Sequence, residues 1–114
     1  MQVHIHDLTE GGDTPRLRES AEERIRRAFD RCAGPVVRVE LRLIDENGPK
    51  GGVDRTATLS YTLASGAVGH ARANSEATLS AIDLAIGRAM RQLRNRSGRE
   101  RSLRRRDDAL ARTA

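Results

Sequence analysis

Hydrophobic residues recur along the chain with two different periods, and these periods predict two helices and four strands. Residues 2–6 alternate, with Val3 and Ile5 on one side, which is typical of a short half-buried strand. After Thr14-Pro15, a pair suited to the start of a helix, apolar residues recur every three or four positions. The apolar face of this first helix comprises Leu17, Ala21, Ile25, Ala28, Phe29 and Cys32, and Gly34-Pro35 is expected to end it.

Three further segments alternate in the manner of strands. Residues 36–44 place Val37, Val39, Leu41 and Leu43 on the inner side. Residues 55–63 follow the turn-rich loop 45–52, and they place Ala57, Leu59, Tyr61 and Leu63 inward and Thr56, Thr58, Ser60 and Thr62 outward. After a tight hairpin at residues 64–66, residues 67–73 return with Gly69, Ala71 and Ala73 inward, where small residues let a helix approach the sheet closely.

A second helix is predicted from the apolar positions that follow residue 78. Its apolar stripe consists of Leu79, Ile82, Ile86, Ala89 and Leu93. Asn74-Ser75 is expected to cap it and Gly98 to break it, which gives a helix of about 22 residues and about 33 Å. Asp83 lies near the start of this helix, where a carboxylate is favourable, and a structural role is expected for it.

The predicted order of elements is β-α-β-β-β-α. The first strand, helix and second strand form a parallel crossover, and the remaining strands form an antiparallel meander. The outer sheet face is polar throughout, so both helices must cover the other face. The fold class is therefore α+β, a two-layer sandwich like that of double-stranded-RNA-binding domains with an extra first strand. Residues 1–97 form the expected domain, and residues 98–114 form a basic tail that is either disordered or a helical extension.

Composition narrows the class of protein. With 114 residues the chain has room for one modest core, and 37% apolar and 32% charged residues suit a soluble protein. Phe29 and Tyr61 are the only aromatic residues, which argues against recognition of single-stranded bases by stacking. Cys32 is the only cysteine, so neither an intrachain disulfide nor a cysteine metal cluster is expected. The absence of a signal peptide and of a membrane-length apolar run predicts a cytoplasmic protein.

Positive charge is concentrated in one part of the chain. The net charge is +5, yet from Arg88 onward ten arginines face only three acidic residues. In the second helix Arg88, Arg91 and Arg94 fall roughly opposite the apolar stripe. On the first helix, Glu19, Glu22, Glu23 and Arg26 lie on one flank, and Arg16, Arg24, Arg27 and Arg31 on the other. The simpler interpretation of both patterns is that these are solvent-exposed helix faces without a binding role. The alternative is an RNA-binding surface, for which the candidate residues are Arg24, Arg27, Arg31, Arg88, Arg91, Arg94, Arg96, Arg99 and Arg101.

Catalysis is not expected. His4 and His6 share one side of the first strand, and His70 could approach them to complete a metal site. That strand is short and solvent-facing, however, and no carboxylate motif accompanies the histidines. Glu40 is expected to form an ion pair rather than act as a general base. No nucleophile motif or phosphate loop occurs, so neither an enzyme, a cofactor, a metal nor a small-molecule substrate is predicted.

Three segments resemble the ribosome hibernation-promoting factor and ribosome-associated inhibitor family, also called the sigma-54 modulation family. The first is Thr14-Pro15-Arg16-Leu17-Arg18-Glu19 with Glu22-Glu23-Arg24-Ile25, which resembles the family's first helix. The second, His70-Ala71-Arg72-Ala73, is similar to its last strand. The third, Ser80-Ala81-Ile82-Asp83 followed by Arg91-Gln92-Leu93-Arg94, resembles its second helix and has the most specific spacing. The resemblance covers about residues 1–97 and points to the short form of the family.

The resemblance implies a ribosome-associated translation inhibitor, or hibernation factor. Its two basic helices would bind ribosomal RNA in the decoding channel of the small subunit and occlude transfer RNA and messenger RNA under stress or in stationary phase. It would be a monomer off the ribosome. Two alternatives stay open: a structured-RNA-binding module without ribosome specificity, and a protein-interaction module that uses the polar sheet face.

Overall fold

Four strands form one mixed sheet in the computed structural model, which describes residues 1–9, 14–31, 36–47 and 53–113, with side-chain detail up to residue 96 apart from residues 47 and 53. The strands are β1 (Gln2–Asp7), β2 (Val36–Asn47), β3 (Val53–Leu63) and β4 (Val68–Ser75), in the spatial order β1-β2-β3-β4. β1 pairs with β2 in parallel, and the other two pairings are antiparallel.

Two helices cover one face of this sheet. Helix α1 (Pro15–Asp30) packs near β1, and helix α2 (Thr78–Thr113) packs on β4 and β3. Because β1 and β4 point the same way in the sheet, and each helix runs back from the end of its preceding strand, the two helices are parallel. The predicted α+β sandwich with the order β-α-β-β-β-α is confirmed.

The core lies between the two layers and is built almost entirely from aliphatic side chains. The inner faces of the strands contribute Ile5, Val39, Leu41, Leu43, Ala57, Leu59, Tyr61, Ala71 and Ala73. The helices contribute Ala21, Ile25, Phe29, Ala81, Ile82, Ala85, Ile86, Ala89 and Leu93. The helix-period and strand-period patterns therefore assigned the buried faces correctly, with Leu17, Ala28, Leu63 and Leu79 packed at the margin.

Local signals also place the helix start and the hairpin correctly. Thr14 is the N-cap of α1, and its hydroxyl accepts a hydrogen bond of 3.3 Å from the amide of Leu17. In the hairpin, the amide of Gly66 donates to the carbonyl of Leu63, and Gly66 has φ 90°, a conformation that L side chains rarely adopt.

The second strand departs from simple alternation at its start. Val36 lies opposite Leu63, whereas Arg38 lies opposite Thr62, so Val37 is an extra residue in a β-bulge. Val36 packs against the core, and Val37 is 45% exposed, so the expectation that Val37 points inward was wrong. A bulge depends on the pairing of two strands, which no period in one of them reveals.

Thr56 was expected on the solvated face but is fully buried. It does point to the outer face, between Asp54 and Thr58 on the same strand. Asp54 is opposite Glu46 of β2, and Thr58 is opposite Arg72 of β4. By this register the ion pair of Arg72 with Glu46 spans the sheet diagonally across the position of Thr56.

Helix α2 differs from its prediction at both ends. Asn74 and Ser75 belong to β4 instead of capping the helix, and the first helical hydrogen bond runs from the amide of Ala81 to the carbonyl of Ala77.

The helix continues through Gly98 to Thr113, so the expected break was wrong, and its 36 residues span about 54 Å. A single glycine costs a helix only about 1 kcal/mol relative to alanine. The boundary at residue 97 between the domain and the basic tail stays a prediction. Cys32, expected on the apolar face of α1, and Gly34-Pro35, expected to end that helix, lie outside the described residues.

Candidate nucleic-acid interface

The candidate arginines lie on the two parallel helices or, in the case of Arg31, directly after α1. One ion pair shows which parts of the two helices lie side by side. It joins Arg24, in the middle of α1, to Asp83, near the start of α2. From that level Arg31 is seven residues further along, and Arg94 is eleven. These spacings correspond to about 10 and 16 Å of helix, in the same direction. The fold therefore brings the later arginines of both helices toward one end of the molecule.

Arg24 and Asp83 connect the helices directly. The Nη1 of Arg24 donates to Oδ2 of Asp83 over 2.6 Å, with the two side chains 42% and 52% exposed. The expected structural role of Asp83 thus takes the form of a contact between helices. The guanidinium of Arg24 is engaged, but a pair this exposed contributes only about 0–1 kcal/mol to stability. Its guanidinium can exchange the carboxylate for a phosphate at little cost.

Arg27 is also paired. Its Nη2 donates to Oε1 of Glu23 over 2.9 Å, and both side chains are about two-thirds exposed, at 68% and 67%. Glu23 and Arg27 were assigned to opposite flanks of α1, yet their spacing of four residues brings the side chains together. The two flanks are therefore not separate. Beside this pair is an open hollow of about 240 Å³ lined by Ser20, Glu23, Arg24 and Arg27.

Arg88 has a role in the sheet that its position in the sequence did not suggest. Its guanidinium donates to the main-chain carbonyl of Arg72 in β4, an edge strand. One turn further, Nε2 of Gln92 donates to the carbonyl of His70 over 2.7 Å. The Oε1 of Gln92 accepts a hydrogen bond of 2.8 Å from the hydroxyl of Tyr61. Arg88 and Gln92 together occupy carbonyl groups that an edge strand would otherwise leave open.

Arg91 and Arg94 are exposed and form no ion pair with any other residue in the described part of the chain. Arg31 follows the last residue of α1 and is likewise exposed without an acidic partner in those ranges. We call Arg24, Arg27, Arg31, Arg91 and Arg94 the helix-face arginines. Arg96 is exposed as well. The backbones of Arg99 and Arg101 lie within α2, and their side chains are outside the described part.

The opposite face of the sheet carries the histidines. The register aligns His4, Glu40, Ser60 and His70 in one row across the four strands. His4 and His70 are therefore three strand spacings apart, about 14 Å, which is too far for a shared metal ion. No group of three His, Cys, Asp or Glu residues in the described ranges is arranged to hold a metal. Glu40 forms the expected ion pair, with Arg38 as its partner.

Among the described residues, neither helix is long and apolar enough to cross a membrane.

Sequence comparison matches residues 13–101 to the family described as Sigma 54 modulation protein / S30EA ribosomal protein. No curated protein sequence matches significantly. Among solved structures, a ribosomal subunit interface protein from Coxiella burnetii is 19% identical, with a TM-score of 0.68 over 86% of this chain and 99% of the other. The Protein Y N-terminal domain from Thermus thermophilus is 18% identical, with a TM-score of 0.61 over 83% and 98%. At these identities the two structures establish a shared fold.

Proposed function

Since this chain belongs to the sigma-54 modulation protein / S30EA ribosomal protein family, we propose that it is a ribosome-associated translation inhibitor. It binds ribosomal RNA in the decoding channel of the small subunit and occludes transfer RNA and messenger RNA under stress. The observation that carries this proposal is the family match over residues 13–101, which spans both arginine-bearing helices. The likeness to the Coxiella burnetii protein, a ribosomal subunit interface protein, is consistent with a ribosomal partner.

The helix-face arginines support RNA as the ligand. Arg31, Arg91 and Arg94 present guanidinium groups without acidic partners in the described ranges, and Arg24 and Arg27 hold only exposed ion pairs. Guanidinium forks match phosphate oxygens with two parallel hydrogen bonds. Groups spread along two parallel helices can contact phosphates on both sides of an RNA groove, and this recognises the shape of the RNA rather than its sequence.

The mechanism that follows is steric. Binding releases counterions from the RNA, so affinity falls steeply with salt. A folded domain that lies in the channel leaves no room for the ligands that normally occupy it, and no chemical step is needed. We accordingly propose a cytoplasmic protein that acts without catalysis or a cofactor and is a monomer off the ribosome. Arg88, Arg96, Arg99 and Arg101 remain proposed contacts, and Arg88 must combine that role with its bond to β4.

Co-sedimentation with purified small subunits tests the proposal. The wild-type protein should pellet at a stoichiometry of one and be displaced by excess transfer RNA. Arg91→Glu with Arg94→Glu should lose binding, because two phosphate contacts become repulsive. Arg91→Glu and Arg94→Glu are also made singly, and Arg16→Glu is their matched control, since it makes the same charge change at the distant start of α1 and should bind nearly normally.

Three outcomes would contradict the proposal. Pelleting that transfer RNA does not affect would exclude the decoding channel. Equal affinity for any duplex RNA, with no preference for ribosomes, would favour a general structured-RNA-binding module. Unchanged binding by the double variant would exclude the helix face and point to the polar sheet face.

A further inference from the structure

The sheet face opposite the helices carries a second arrangement of basic and hydroxyl groups. The register pairs His6 of β1 with Arg42 of β2, and Arg42 with Thr58 of β3. All three side chains point away from the core, because their neighbours on each strand point into it. Adjacent strands are about 4.8 Å apart, so the three residues stand in a row about 10 Å long.

An open hollow of about 480 Å³ lies over this row. Its lining comes from β1, β2 and β3 and from the residue that follows β1 by one position, and consists of His6, Leu8, Glu40, Arg42, Thr58 and Ser60. The strands hold these side chains at fixed spacing, which gives a more rigid base than a loop. We call this the sheet hollow.

Arg42 is the residue that gives the sheet hollow its charge. It is exposed, and it forms no ion pair with any residue that the structure describes. The other arginines of this face are paired, Arg38 with Glu40 and Arg72 with Glu46. The carboxylate of Glu40 also lines the hollow, and its exposed ion pair with Arg38 reduces the effect of its charge without removing it. Arg42 therefore has no acidic partner among the described residues, and Thr58, its register partner on β3, brings a hydroxyl group to the same hollow.

We propose that the sheet hollow binds a phosphate group of an RNA strand, with Arg42 as the bidentate donor and the Thr58 hydroxyl as a neighbouring donor. Charge complementarity carries this assignment, because a guanidinium fork and a hydroxyl group match phosphate oxygens. The contact is to the RNA backbone, since the two aromatic residues of the chain, Phe29 and Tyr61, are buried and offer no ring for base stacking.

This inference rests on the proposed function and extends it. A protein that lies in an RNA-walled channel is approached by RNA from more than one side, and the helix-face arginines can serve only one side. The sheet hollow supplies a contact for RNA that approaches from the opposite side of the protein. The carboxylate of Glu40 repels phosphate in the same hollow. Removal of its charge should therefore raise the affinity for RNA, whereas removal of the Arg42 charge should lower it.

Amide NMR of the full-length protein, titrated with hexauridylate, tests the inference. The amide signals of His6, Arg42 and Thr58 should shift. Arg42→Ala should weaken this binding about tenfold, the loss expected for a charge-assisted hydrogen-bonded pair. Thr58→Val should weaken it by a smaller factor, and Glu40→Gln should tighten it. The gain for Glu40→Gln should exceed that for Glu22→Gln, which removes the same charge from α1, and equal gains would mean that net charge and not the sheet hollow decides the affinity.

The controls separate this inference from the proposed function. The Arg91→Ala, Arg94→Ala double variant should keep the shifts at the sheet hollow, even where it no longer pellets with ribosomes. Shifts confined to the helices in the wild-type protein would overturn the inference and leave the proposed function intact. Binding of inorganic phosphate as tight as that of hexauridylate would overturn RNA in favour of a free anion. Equal binding of hexaglutamate would overturn it in favour of an acidic protein segment.

Discussion

The Oδ2 of Asp83 accepts a 2.6 Å hydrogen bond from Nη1 of Arg24, and the two residues are 59 positions apart in the chain. This ion pair joins the two helices, and it places an acidic group among the helix-face arginines. A carboxylate there has two opposing effects. It helps to fix the helices side by side, and it competes with RNA for Arg24.

Asp83→Asn should therefore weaken folding slightly and strengthen RNA binding. The free energy of unfolding should fall by about 0–1 kcal/mol, since the pair is half exposed. Affinity for ribosomal RNA at low salt should rise, because Arg24 is released and a repulsive charge is lost. Urea denaturation and an RNA-binding titration measure the two effects. Glu22→Gln is the matched control, because it removes the same charge from the exposed Arg26 pair. A gain equal in both variants would mean that only net charge matters.

Two glycines should respond to alanine in opposite directions. At Gly69 an added Cβ would lie 2.1 Å from Cζ of Tyr61, whereas at Gly87 it would meet no atom within 4 Å. Gly69→Ala should destabilise the protein by about 1–3 kcal/mol, as expected for overpacking. Gly87→Ala should stabilise it by about 0.5–1 kcal/mol, since alanine favours a helix interior. Thermal and urea unfolding give both values. Comparable stability of the two variants would contradict the packing of Tyr61 over β4.

Arg88 and Gln92 should protect the free edge of the sheet. Their side chains occupy the carbonyl groups of Arg72 and His70 on β4. In the Arg88→Ala, Gln92→Ala double variant, the hydroxyl of the buried Tyr61 also loses its acceptor. The free energy of unfolding should therefore fall by about 1–3 kcal/mol. The exposed edge of this variant should pair with a second molecule. Size-exclusion chromatography over a range of concentrations detects such pairing. Arg91→Ala is the control and should stay monomeric, and a monomeric double variant would show that the edge needs no cover.

Removal of residues 98–114 should separate folding from RNA binding. Within the described side chains the last buried residue is Leu93, so a chain that ends at residue 97 keeps that core. Its melting temperature should match that of the full chain. The removed segment contains Arg99 and Arg101 among its arginines, so ribosome pelleting should depend less steeply on salt. Pelleting at two salt concentrations measures the difference. A large fall in melting temperature would place this segment within the folding unit.

Three cases show how far the sequence could locate the candidate interface and the sheet hollow. The periods of α1 and α2 put their arginines on the solvent side, and that assignment is correct for Arg91 and Arg94. It could not separate these two from Arg88, whose guanidinium reaches a strand carbonyl. Gln92 belongs to the segment that resembles the family, but its role in joining α2 to Tyr61 and His70 was not predicted, because a glutamine on a polar helix face gives no local signal of its partners. The signal for Arg42 was equally weak, since an arginine in an alternating strand is typical of any solvated sheet.

The sequence by itself determined the order of elements, the faces that become buried and the family, because each depends on residues within one segment or on motif spacing. Alternation in the strands and the three-to-four-residue period in the helices specify which side chains avoid water, whatever their partners are. Tertiary structure decided what depends on two segments at once: the bulge at Val37 and the burial of Thr56. It also decided which charges are paired, as with Arg24 and Asp83, since such partners meet only when distant segments pack.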